Sequence, residues 1–171
     1  MPACIDSFRM PRYQDLPNVG LYLDQTVKYI NGYLKDLGCM EITASMVSNY
    51  VKKGYIQNPV RKQYSAEQIA NLFAIAILKS VVSMENISRL FDLQKRIYTA
   101  EVAYNYFCAE LENVLHYTFG LKPDVEHIGV TVSQEKNMLR SAIVAVSHII
   151  YLHSRFDELF GQAEESPSNR D

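Results

Sequence analysis

The stretch from Ala66 to Lys79 is apolar almost all round: Ile69, Leu72, Phe73, Ile75, Ile77 and Leu78 fall on every side of a helical projection. A helix without a polar face is stable only at the centre of a core, so the rest of the chain has to wrap around it. Ser65 opens it, and Gln68 three residues later completes a capping box. With only 7 Gly and 6 Pro in 171 residues, 48% of them hydrophobic, the composition predicts a mainly α protein with one good core or two small ones.

Other helices follow from periodicity. Leu23, Val27, Ile30, Leu34 and Leu37 recur at helical spacing from Tyr22 to Leu37, and Gly38 supplies a stop. Thr43 caps a second helix ended by Gly54, with Met46, Val47, Tyr50 and Val51 on its apolar side. Ser83 caps a shorter helix carrying Ile87, Leu90 and Phe91. Two long helices are predicted over Ile97–Thr118 and Gln134–Phe160. The last carries two stripes: Met138, Ala142, Ala145, Ile149, Leu152, Phe156 and Leu159, and beside it Leu139, Ile143, Val146 and Ile150. One is expected to meet the chain's own core and the other a second copy, with a charge at Ile150, taken as an outward seam position, giving monomers or insoluble protein. Pro2, Pro11 and Pro17 mark an irregular arm, expected over the first helices. An extended piece is expected at Ile128–Val132, and the polar tail 161–171 is expected to be disordered.

The net charge of −2 hides an asymmetry, because residues 1–64 carry eight Lys/Arg against five Asp/Glu. Thr43 to Tyr64 holds Lys52, Lys53, Arg61 and Lys62 with no acid at all, a local basic footprint. On the second helix Ser45, Ser48, Asn49 and Lys52 share the polar face, hydrogen-bonding chemistry suited to a nucleic-acid groove. The segment YIQNPVRKQY that follows has a central proline and no helical period, so a turn or very short hairpin is expected there.

The order ITASMVSNYVKKGYIQNPVRKQYSAEQIANLFAIAILKSVVSMENISRLF resembles the DNA-binding domain of MerR-type regulators. Tyr50, Gly54, Ile56, Pro59 and Tyr64 stand where that family has its aromatic, its glycine turn and the bounds of its wing. Ser65–Leu78 and Val82–Phe91 resemble the two helices after the wing. From Arg9 to beyond Phe91 the chain is also similar to an uncharacterised bacterial family of unknown function assigned a MerR-like fold. The resemblance implies a winged helix-turn-helix in 1–92, followed by two long helices in 93–160 that form a dimerisation or effector half. It departs from MerR-type regulators at Ser48, where they commonly carry arginine, and in a shorter wing.

The expected function is therefore a transcriptional regulator that binds duplex DNA as a homodimer, with a small-molecule effector as a further partner. Ser45, Ser48, Asn49 and Lys52 would reach base edges, while Lys53, Arg61 and Lys62 complete the basic surface. The alternative is a module that turns the same polar helix on a protein. Enzyme chemistry is not expected: there is no GxGxxG, Walker loop or GxSxG. Glu112, His116, His148, His153 and Glu158 lack the spacing that aims two histidines at one metal, so neither metal nor cofactor is expected. Tyr98, Tyr104, Tyr106, Tyr117 and Tyr151 are read as amphipathic packing, with a ligand pocket as the competing reading. Three scattered cysteines, no signal-peptide pattern and apolar runs far short of the ~20 residues of a membrane span point to the cytoplasm.

Overall fold

The structure, a computed structural model, describes residues 5–129 and 133–161. Six helices occur among them: α1 Leu23–Leu34, α2 Ala44–Lys52, α3 Ala66–Leu78, α4 Met84–Lys95, α5 Ala100–Thr118 and α6 Gln134–Phe160. Each of α2 to α6 starts on a Ser or Thr whose hydroxyl accepts a backbone N–H of the first turn, from Thr43 taking Met46 N–H at 3.2 Å to Ser133 taking Lys136 N–H at 3.3 Å. The fold class is the mainly α one expected, and no helix among the described residues is long and apolar enough to cross a membrane.

α3 is the hub. Its Ile69, Leu72, Phe73, Ile75 and Ile77 are completely buried, and α1, α4, α5 and α6 all pack on it. One core runs continuously from Ile5 and Phe8 to Val146 and Ile150.

Several details depart from the expectations. The first helix stops at Leu34 and continues as one 3₁₀ turn, Lys35–Leu37, because Leu34 and Leu37 reach the core at a spacing of three and Gly38 (φ +75°) closes the turn. α5 begins at Ala100, with Ile97 and Tyr98 in the turn before it, since Thr99 takes the cap. The N-terminal arm lies against α5 and α3 rather than over the first helices: Glu112 accepts the Met10 N–H at 2.8 Å, and Asn105 Oδ1 that of Tyr13 at 2.8 Å. Of the extended piece expected at Ile128–Val132, residues 130–132 lie outside the described residues, as does the tail from 162.

α5 and α6 run parallel. Going up both helices, Lys136 faces the Tyr106 ring at 5.1 Å, Arg140 Nε meets Glu110 Oε1 at 2.9 Å, and Phe119 meets Tyr151 at 5.3 Å. The linker returns along the pair, where Asn113 Nδ2 donates to the Glu126 carbonyl at 2.8 Å. Leu139, Ile143, Val146 and Ile150 are the inward stripe of α6. The expectation that Ile150 faces a partner is thus corrected: at 1% exposure it is core, and the outward stripe is the one with Leu152, Phe156 and Leu159, each more than half exposed.

Candidate nucleic-acid interface

α2 turns Val47 and Tyr50 into the core and leaves Ser45, Ser48, Asn49 and Lys52 exposed on its other side. The 3.6-residue period separates these sets, and the Thr43 cap fixes where the helix starts. Ser45 Oγ also lies 3.2 Å from Thr43 Oγ1, so its hydroxyl is oriented by the cap. Lys53 is the exposed C-cap, and Gly54 (φ +77°) turns the chain so that Tyr55 N–H donates to the Tyr50 carbonyl at 2.9 Å and Ile56 is buried.

The next segment is anchored at its base and free at its tip. Gln68, the capping-box residue of α3, donates its amide to the carbonyls of Gln57 (2.9 Å) and Asn58 (3.3 Å). Tyr64 exchanges backbone hydrogen bonds with Leu21 at 2.7 and 3.1 Å, tying the segment to the chain before α1. Between these anchors Val60 and Gln63 bridge across a two-residue turn whose central residues are Arg61 (φ +52°) and Lys62 (φ +63°). Positive φ at both central positions is the geometry of a tight hairpin with the right-handed twist, and it normally selects Asn-Gly. Here two cations occupy it, both exposed.

All seven expected site residues, Ser45, Ser48, Asn49, Lys52, Lys53, Arg61 and Lys62, are therefore exposed on two consecutive elements. Of the residues that tie down the hairpin, Gln68 to Gln57 and Leu21 to Tyr64, sequence had singled out Gln68 and Tyr64 but neither of these contacts. The Ser65-to-Gln68 box was readable; the further reach of the Gln68 amide has no signature in it.

Of the other candidate groups, Glu112 and His116 are engaged in the frame. Glu112 receives Arg12 and the Met10 N–H, and His116 Nε2 lies 3.2 Å from the Ile5 carbonyl and 3.3 Å from Arg9. His148 and His153 are exposed on α6. Cys108 is buried, and burial, outweighing the neighbouring Tyr104 and Arg12, pushes its thiol up to about 12. Cys39 is half-buried and shifted the same way by burial. Among the described residues no group of three His, Cys, Asp or Glu is placed to hold a metal ion.

Residues 11–107, more than half of the chain, match the model of a family described as a domain of unknown function, DUF1836. No curated protein and no solved structure matches the chain.

Proposed function

The chain belongs to the domain-of-unknown-function family DUF1836, and on that premise we propose that it is a DNA-binding regulator that grips duplex DNA as a homodimer. In this reading α2 is the recognition helix of a MerR-like winged helix-turn-helix and the Val60–Gln63 hairpin is its wing. The observation that carries it is the wing tip. Left-handed backbone costs a residue with a Cβ roughly 1–2 kcal/mol, yet Arg61 and Lys62 both adopt it with their side chains in solvent. Strain of this kind persists where it presents a functional group; the groups presented are two cations on the element that follows α2, in a stretch with no acid between Thr43 and Tyr64. Phosphate contacts from the wing and from Lys52 and Lys53 position the protein, and Asn49 offers an amide that pairs in two-pronged fashion with adenine.

The homodimer is supported by α6. Its outward stripe repeats at heptad spacing over about 32 Å of helix, from Met138 through Ala142, Ala145, Ile149, Leu152 and Phe156 to Leu159. Ala142 and Ala145 are small and flank an open groove of about 490 Å³ against Val81 and Val82, whereas Leu152, Phe156 and Leu159 are bulky and protrude. An antiparallel pair of α6 helices sets Ala142 on Leu159 of the partner subunit, Ala145 on Phe156 of the partner subunit and Ile149 on Leu152 of the partner subunit. Each layer then matches a small residue to a large one, or two of middle size, which a parallel pair does not do.

The test is a set of binding titrations at several salt concentrations, on a duplex selected from genomic fragments and on a scrambled one. Expected is affinity that falls steeply with salt on both and is higher on the selected duplex. No binding to either duplex at low salt rejects the reading and leaves α2 as a protein-binding face.

A further inference from the structure

A cavity of about 260 Å³ enters the molecule between α3, α4 and α5. Core residues line it: Ala70 and Leu78 of α3, Phe107 of α5 and Leu139 of α6 are all buried. Two carboxamides line it as well, Asn71 of α3 and Gln94 of α4, both half-buried. Among the described residues neither amide finds a hydrogen-bond partner. Gln68, one turn before Asn71, shows the contrast, since its amide is taken up by the carbonyls of Gln57 and Asn58.

We propose that this cavity binds a small uncharged aromatic amide, a ring that carries a carboxamide or lactam edge. The buried aliphatic walls, with Phe91 and Tyr98 beside them, suit a flat apolar body. The size fits, since an apolar cavity of about 150 Å³ takes one benzene, and this one leaves room for a ring with its amide or for a fused pair. The free carboxamides decide the polar edge. Each both donates and accepts, so Asn71 and Gln94 can satisfy a C=O and an N–H that lie side by side on the ligand. Charge excludes an ion. Glu67 and Lys95 are the charged residues of the lining, both exposed, and they lie 4.0 Å from one another, so neither is left to balance a carboxylate or an ammonium.

The position gives such a ligand leverage. α3 and α4 wall one side, and α5 with Leu139 of α6 walls the other. An occupant therefore joins the helix that anchors the hairpin through Gln68 to the two long helices. The binding claim stands without the DNA reading and is tested without DNA.

Benzamide, nicotinamide and 2-quinolone are titrated into the full chain while its melting temperature is followed, with benzoate as the charged control and toluene as the control without an amide. At least one amide raises the melting temperature saturably, by a few degrees at about a hundredfold excess over its dissociation constant, and benzoate and toluene raise it less. Ala103→Phe puts a ring into the cavity from a half-buried position of α5 and abolishes the shift. Asn71→Leu and Gln94→Met keep the bulk of the side chain and lose its amide. Each weakens binding of the amide about fivefold, the worth of one neutral hydrogen bond, and leaves toluene unaffected; both positions are half-buried, and the melts of the unliganded variants show that they fold. A flat response to all three amides, an equal shift with toluene or benzoate, a shift that survives in Ala103→Phe, or amide affinity unchanged in both Asn71→Leu and Gln94→Met overturns the proposal.

Discussion

Arg12 and Glu112 meet as a two-pronged ion pair, Nη1 to Oε1 and Nη2 to Oε2 both at 2.8 Å, and the same carboxylate accepts the Met10 N–H. One side chain of α5 thereby fastens the arm, and the arm leads to Leu21, which pairs with the hairpin at Tyr64. Glu112 is buried and the Arg12 side chain is about a third exposed, so losing the arginine strands a carboxylate more than it frees a cation. Arg12→Met should cost about 2 kcal/mol, discounted for the exposure of the arginine, and lower the melting temperature by roughly 4–8 °C. An unchanged calorimetric melt would show that the arm is held by its apolar residues alone.

Glu110 makes a contrasting prediction. Its carboxylate is essentially buried, and burial pushes its pKa up despite Arg140 and His127 nearby. A carboxyl group with a raised folded pKa stabilises the fold fully below its unfolded value, and that contribution is lost as pH rises through the folded value. Glu110→Gln should match the native protein near pH 4 and become the more stable of the two toward pH 7, since Arg140 still reaches solvent. Melts of both proteins across that range decide it, and a native protein that gains on the variant with rising pH would reverse the sign.

The hairpin tip should separate stability from binding. Exchanging Arg61-Lys62 for Asn-Gly supplies residues that tolerate positive φ, so the double variant should be more stable by about 1 kcal/mol, or 2–4 °C. The same change removes two cations and should weaken binding to selected and scrambled duplexes alike, reducing the salt slope by about 0.9 for each phosphate that is no longer neutralised. Asn49→Ala should leave that slope alone and cost roughly 1–3 kcal/mol on the selected duplex only. Equal affinities for all three proteins would remove the hairpin and α2 from any DNA surface.

What could be read in advance was whatever local chemistry decides. The caps at Thr43, Ser65 and Ser83 fixed helix starts, and the all-apolar face of α3 placed it at the hub. The direction of α6 against α5 was not legible, because the stripe Leu139–Ile150 states which face is buried and packs equally well on a helix running either way. Choosing Ile150 over Leu152 as the outward residue failed for a related reason: the two stripes sit side by side, and only the position of α5 selects between them. The strained turn at Arg61-Lys62 was hidden as well, since neither residue type signals left-handed backbone and the constraint comes from the anchors at Gln57, Asn58 and Tyr64.

The outward stripe gives the last prediction. Leu152 and Phe156 are more than half exposed in the single chain, so Leu152→Glu and Phe156→Glu should leave the fold intact and convert a dimer to a monomer in light scattering at micromolar concentration. Ile150→Glu, by contrast, buries a carboxylate in the core beside Ile143 and Val146 and should unfold the chain instead. The antiparallel register adds a geometric check. With cysteines at both Ala145 and Phe156, each seam layer brings a thiol of one subunit to a thiol of the other, and mild oxidation should link the subunits on a non-reducing gel. Phe156→Cys alone should not link, because Phe156 of the partner subunit lies about 16 Å further along the helix at 1.5 Å per residue, far beyond the Cα separation a disulfide spans. Efficient linking through Phe156→Cys alone would instead establish a parallel pair, and a native chain that stays monomeric would remove the two-fold reader altogether.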